Sequence, residues 1–205
     1  MKICENPQNS EEWLIDRLAV PSASSFSKIL TATGKPSTQA NGYMDQLLAE
    51  WLAEKPVDAF EGNQWTEQGH EREQEARDQY GFITGNEVTE VGFCLTDDGK
   101  YGMSPDGLVN DNGLVEIKSP KASTLVSYHL GGKLPNGYKP QVMGQLLVSD
   151  REFCDFFVYH PDIEPFFLHV KRDEQYIIQL KKAVDDFVDK MMDKRERLKH
   201  LKVAT

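Results

Sequence analysis

The stretch Ser104-Pro105-Asp106-Gly107-Leu108-Val109-Asn110-Asp111-Asn112-Gly113-Leu114-Val115-Glu116-Ile117-Lys118 decides the fold. Gly107 to Val109 and Leu114 to Lys118 read as two short strands, and the Asn, Asp and Gly between them read as a tight turn. A three-residue loop, Asp111-Asn112-Gly113, predicts a hairpin with Gly113 in the left-handed position. In that register Asn110 opposes Leu114, Leu108 opposes Glu116 and Asp106 opposes Lys118. Side chains two apart on a strand share a face, so Asp106, Glu116 and Lys118 are expected together. A shift by one residue would separate them.

Two carboxylates and a lysine gathered this way suit phosphodiester hydrolysis. Magnesium takes hard oxygen ligands and keeps several waters. Asp106 and Glu116 supply two oxygens, and the carbonyl of Ile117 is a candidate third. A cation there would stabilise charge on a scissile phosphate and activate a water. Lys118 is the candidate to hold that water. The spacing alone is weak, since an ordinary Glu–Lys pair on a solvated hairpin has it too. Its setting carries more: Glu116 and Lys118 interrupt an apolar strand, where charged groups need partners or a function.

Working outward, Ser10-Glu11-Glu12-Trp13 predicts a capped helix start, and Ser24 to Leu30 another short helix. Gly34 to Ser37 reads as a loop. Apolar residues from Tyr43 to Leu52 recur at helical spacing. Pro56 and Gly62 bracket a loop. Gln64 to Tyr80 predicts a polar helix, with Gly81 as its left-handed cap. Glu87 to Thr96 reads as one strand. Beyond the central hairpin, Ala122 to Leu130 and Lys139 to Ser149 predict helices, with Pro140 tolerable in a first turn. Glu152 to His160 and Phe166 to Lys171 read as strands joined at Pro161-Asp162. Asp173 caps a last helix with an apolar stripe from Ile177 to Met191. The order predicts a mixed α/β fold, one mixed sheet flanked by helices.

The 205 residues carry 23 basic and 33 acidic side chains, a net charge of −10, which is unusual for a chain that grips phosphates. Net charge says nothing about distribution, so a local basic channel under an acidic exterior stays open. No apolar run is long enough to span a membrane, and residues 1–12 contain no apolar signal core, so a cytoplasmic protein is expected. Three scattered cysteines argue against a disulfide framework or a zinc site.

Ser104-Pro105-Asp106-Gly107-Leu108 followed by Gly113-Leu114-Val115-Glu116-Ile117-Lys118-Ser119-Pro120 resembles the core of the phage lambda exonuclease-like, YqaJ-type viral recombinase family. These are restriction-endonuclease-like nucleases with a PD-(D/E)xK motif. The resemblance extends to Trp13-Leu14-Ile15-Asp16-Arg17 with Ser24, and to the acidic helix Gly69-His70-Glu71-Arg72-Glu73-Gln74-Glu75-Ala76-Arg77. It continues in Gln141-Val142 with Gln145 and in Lys171-Arg172-Asp173-Glu174. The matches run in order from residue 13 to about residue 176.

The resemblance implies metal binding by Asp106 and Glu116, assistance to the water by Lys118, and a further active-site acid at Glu73. Gln141 would contact that water or a phosphate. Arg17, Ser24 and Ser104 would hold a terminal 5′-phosphate; an Arg fork with hydroxyls is a reasonable anion site. Without the resemblance, these three read as a surface arginine and two serine caps. Two positions depart from the pattern. Met143 stands where a second glutamine is common, and Thr124, with Lys121 nearby, stands where a basic residue is implied.

By the same resemblance the chain is one nuclease domain over 1–205, with a helical part at 1–82, a sheet core at 83–172 and a C-terminal helix at 173–200. It implies a phage- or prophage-encoded 5′→3′ exonuclease acting on double-stranded DNA ends. The enzyme would release 5′-mononucleotides and leave 3′ single strands for recombination. Magnesium, two ions per site with manganese able to substitute, a ring-shaped homotrimer and a single-strand annealing recombinase as partner are also implied. An endonuclease of the same fold and a non-catalytic interaction module are the alternatives.

Overall fold

A computed structural model describes residues 1–57 and 67–202. In chain order the elements are β1 (Lys2–Ile3), α1 (Glu11–Asp16), a 3-10 helix (Ala23–Lys28), α2 (Ala40–Ala53) and α3 (Glu67–Thr84). Then follow β2 (Val88–Thr89), β3 (Cys94–Leu95), β4 (Gly102–Met103), β5 (Gly107–Val109) and β6 (Gly113–Lys118). The chain continues through α4 (Ala122–Gly131), α5 (Lys139–Ser149), β7 (Phe153–His160), β8 (Ile163–Lys171) and α6 (Glu174–Leu198).

The main sheet has five strands in the order β2-β5-β6-β7-β8. β6 pairs antiparallel with β5 and parallel with β7, so the sheet is mixed. The parallel step needs a crossover, and α4 and α5 provide it. β6 is buried on both faces, as its run of apolar residues requires. On one face Leu108, Leu114, Phe156 and Val158 pack with Phe26 and with the buried stripe of α6. On the other, Val109, Val115, Ile117 and Phe157 pack under Ala76 and Tyr80 of α3. A smaller sheet, β1-β3-β4, lies beside these layers.

The hairpin register differs from the expected one. Leu108 opposes Leu114 and Val109 opposes Gly113, so the loop is Asn110-Asp111-Asn112. Asn110 takes the left-handed conformation, at φ 45°. Gly113 lies in the strand instead, and a Cβ there would sit 2.2 Å from the Phe153 ring. The displacement is an even number of residues, so every side chain keeps its face.

Other differences are local. α3 runs through Gly81 to Thr84 and ends on Gly85, at φ 70°, whose N–H donates to the Gly81 carbonyl over 2.8 Å. The single strand expected over Glu87 to Thr96 is two, β2 and β3, one in each sheet. Gly92 lies between them, where a Cβ would meet the backbone oxygen of Asn6 at 2.3 Å and that of Cys4 at 2.6 Å. The chain there carries the N-terminal arm rather than continuing a ladder. β8 begins at Ile163 and passes through Pro165, which an edge strand tolerates. Gly62 and the expected helix start at Gln64 fall outside the described residues.

Ser10 caps α1 by accepting from the Trp13 N–H at 3.1 Å, and Asp173 caps α6 from the Tyr176 N–H at 3.1 Å. Among the described residues no helix is long and apolar enough to cross a membrane.

Candidate active site

β5 stops at Gly107, opposite Val115, so the edge of β6 beyond Val115 is open on that side. Asp106 sits at this opening. Its Oδ2 accepts from the Ile117 N–H at 2.6 Å. The N–H and C=O of one strand residue point to the same edge, so the Ile117 carbonyl faces this side as well.

Glu116 is 1 % exposed, and three donors surround it. Lys118 Nζ forms an ion pair with Oε1. Gln141 Nε2 donates to Oε1 at 2.5 Å and Gln145 Nε2 to Oε2 at 2.5 Å. The two glutamines lie four apart on α5, hence on one helix face. The Cys154 thiol lies 3.9 Å from Gln145 Oε1, so the amide presents nitrogen to Glu116 and oxygen to sulfur. Gln145 thus supplies the second glutamine contact. Met143 is buried instead, its sulfur 3.4 Å from the Asp173 N–H.

The electrostatics follow from burial and crowding. Burial, and then the neighbouring Glu116, push the Asp106 carboxyl up to about 7, with Lys118 opposing. Burial would lower the Lys118 amine, but Glu116 and Asp106 outweigh it and hold the group above its usual range, so it is cationic. Its ammonium also lies 5.7 Å from the centre of the Tyr138 ring.

A cleft of about 480 Å³ opens beside Asp106, and Glu73 and Arg77 of α3 line it. Glu73 therefore lines the same cleft as Asp106. Arg77 pairs with Glu73 at 3.0 Å and Glu90 at 3.0 Å, and its Nε donates to the Asp106 carbonyl at 3.3 Å. Sequence reading gave Arg77 no role of its own. Its position four residues after Glu73 is the signal that could have found it.

The donors fit a hard divalent cation. Asp106 spends Oδ2 on the backbone and has Oδ1 left. Each carboxylate oxygen accepts about two hydrogen bonds, so Glu116 Oε2 keeps one position open beside Gln145. Among the described residues no three His, Cys, Asp or Glu side chains form a closed metal cage. Two carboxylates, a carbonyl and water are the set that magnesium takes.

Of the remaining candidates, Ser104 stands two residues before Asp106, and Arg17 and Ser24 belong to the N-terminal helical segments. Arg17 stacks over Trp13, 4.2 Å from the ring centre, and lines a second cavity of about 180 Å³ with Ser22, Ser25 and Glu50. Burial pulls its guanidinium below the usual range, against Tyr43 and Glu50. Ser24 is exposed in the 3-10 helix, its Oγ 3.0 Å from Ser22 Oγ. Ser104 Oγ is buried without a partner among the described residues. A parallel bridge from Ser22 to Gly102 joins the two serine segments, two residues before each serine.

Residues 12–152 match the model of the YqaJ-like viral recombinase domain. That is more than half of the chain. The chain belongs to the YqaJ-like viral recombinase family. Among solved structures, the alkaline exonuclease LHK-Exo from Laribacter hongkongensis aligns at 29 % identity and TM-score 0.83, over 93 % of this chain and 97 % of that one. LHK-Exo in complex with dAMP aligns at 31 % identity and TM-score 0.82, with the same coverage. A phage-related exonuclease from Haemophilus somnus 129PT shares the fold at 17 % identity and TM-score 0.61, over 85 % of this chain and 96 % of that one. The search of curated proteins gave no match. The mixed sheet flanked by helices is therefore the PD-(D/E)xK architecture of the alkaline exonucleases.

Proposed function

We propose that the chain is a magnesium-dependent 5′→3′ exonuclease on double-stranded DNA that releases 5′-mononucleotides. The observation that carries this reading is the cluster of Asp106, Glu116 and Lys118 at the open edge of β6, beside a cleft. Family membership and the likeness to an enzyme solved with dAMP support it.

Asp106 and Glu116, with the Ile117 carbonyl, would hold magnesium or manganese, and Glu73 is the acid available to a second ion. When bound, such an ion stabilises charge on the scissile phosphate and lowers the pKa of water. Gln141 and Gln145 fix the plane of the Glu116 carboxylate, so its oxygens need no reorganisation. Lys118, held cationic, positions the attacking water and stabilises its developing negative charge. Arg77 anchors the main chain of Asp106 and the side chain of Glu73. Arg17, with Ser24 and Ser104, would take the terminal 5′-phosphate; the Ser104 hydroxyl, without a partner among the described residues, is a group such a ligand would satisfy. The 3′ single strand left behind would pass to a single-strand annealing recombinase.

The test is digestion of linear duplex bearing a 5′-phosphate, linear duplex bearing a 5′-hydroxyl, and closed circular DNA, each with magnesium or with chelator. The phosphorylated linear duplex should be consumed fastest, the circle should resist, and chelator should stop the reaction. Efficient cutting of circles would overturn the exonuclease reading in favour of an endonuclease on the same fold. Chelator-resistant hydrolysis would remove the metal.

A further inference from the structure

We infer that Arg195, on the C-terminal helix α6, is a positioning residue that holds the turn between Arg17 and Val20 and thereby sets the terminal-phosphate pocket. The inference rests on the reading of Arg17, Ser24 and Ser104 given above.

The turn is unusual in its chemistry. The Val20 N–H donates to the Arg17 carbonyl at 3.2 Å, which closes a four-residue reversal. Its third residue, Ala19, has φ 56°, in the left-handed region that disfavours any residue with a Cβ. Glycine is the usual occupant of such a position. Here two side chains from other elements grip the buried alanine. Its N–H donates to Glu50 Oε2 of α2 at 3.2 Å, and its carbonyl accepts from Arg195 Nη2 at 2.6 Å. Glu50 is itself steadied by Gln46, whose Nε2 donates to Oε1 at 3.1 Å.

Arg195 occupies a costly place to do this. Its guanidinium is half-buried, lies 5.6 Å from the centre of the Trp51 ring, and has no carboxylate partner among the described residues. Its Nε is buried without a hydrogen-bond partner among them. Burial alone pulls its pKa down, with no acid opposing. Beside the Trp51 ring and a long contact from Nη1 to the Met192 sulfur at 3.9 Å, the Ala19 carbonyl is the one oxygen this charge meets among the described residues, which points to a demand on that carbonyl's position.

The demand comes from what the turn joins. Arg17 precedes it. After it, the Pro21 carbonyl accepts from the Gly102 N–H at 2.9 Å, and the Ser22–Gly102 bridge leads to Ser24 and Ser104. The turn therefore fixes where the arginine stands relative to the two serines. Arg195 lies outside the matched residues 12–152, so this restraint belongs to a part of the chain that the family model does not cover.

The experiment compares initial rates on 5′-phosphorylated and 5′-hydroxyl linear duplex for the wild type, R195A, R195K and the double variant A19G/R195A, with a thermal melt of each. R195A should reduce the phosphate preference by about tenfold, the lower end of the scale for one lost hydrogen bond to a charged donor, while the rate on 5′-hydroxyl duplex changes little. R195K should keep most of the preference. Glycine adopts the left-handed turn unaided, so the double variant should recover the preference together with part of the melting temperature that R195A loses. A purely structural role would move stability without this pattern. If R195A does not fold, the double variant decides: a lost preference in it overturns the positioning role. A wild type that prefers phosphate and an R195A that prefers it equally would overturn the inference alone. A wild type with no preference would remove the phosphate pocket and the inference together.

Discussion

Lys118 separates the two things a lysine can do for a nucleic acid, bind it or act on the reacting atoms. Its ammonium faces Glu116 and the Tyr138 ring, inside the cluster rather than on the open surface. Lys118→Ala is therefore expected to remove nearly all cleavage and to leave the affinity for duplex DNA close to normal. Single-turnover rates together with a binding isotherm check this, and near-normal turnover would sink the assignment. Asp106→Ala and Glu116→Ala should each weaken magnesium binding, as read by calorimetry on the folded variants; unchanged affinity in both would exclude them as ligands. Asp106, Glu116 and Lys118 were legible because period-two alternation survives an even register error. Arg77 and Gln145 stand in the quoted motifs, but their contacts were not legible. Each acts through contacts between elements far apart in sequence, Arg77 on the Asp106 carbonyl and Gln145 on Glu116, and no local pattern encodes those meetings.

Elements were legible in proportion to their length. α5, α6 and β7 have enough residues to express a period, and their expected bounds fall within a few residues of the observed ones. β1 and β4, at two residues each, have no period to read. They exist because the N-terminal arm packs across the chain at Gly92, a tertiary event that sequence spacing does not carry. This makes Gly92 a sharp test of the small sheet. A methyl group there would collide with two backbone oxygens, which cannot rotate away as a side chain can. Gly92→Ala should cost about 1–3 kcal/mol, the usual range for overpacking, measured as a lowered urea midpoint with unchanged slope. The arm also lines the cleft through Gln8 and Asn9, and Gln8 Nε2 donates to the carbonyls of Val91 and Pro105 at 2.9 and 2.7 Å. Loss of the arm should therefore slow cleavage as well. A variant with wild-type stability would show that the arm yields.

For the whole molecule, the net charge of −10 has to be reconciled with a polyanionic substrate. A single acidic chain would repel DNA over most of its surface. If the chain forms the ring-shaped homotrimer that the family resemblance implies, acidic faces would turn outward and DNA would be admitted only through the centre. Arg17 enters here as well, because a terminal phosphate identifies the end that a threaded duplex presents. Arg17→Ala should cost about 1–3 kcal/mol of transition-state stabilisation on 5′-phosphorylated duplex and less on 5′-hydroxyl duplex, since a guanidinium grips a terminal phosphate through two parallel hydrogen bonds. An equal loss on both substrates would make Arg17 a general backbone contact. The ring itself is tested by sedimentation equilibrium, which should give three times the mass of one chain, and by digestion after challenge with excess unlabelled duplex. A trimer that encloses its substrate should finish the molecule it has begun, because release requires the end to pass out of the ring. A monomer that exchanges substrates after each nucleotide would show that acidic repulsion is overcome locally at the cleft, without enclosure.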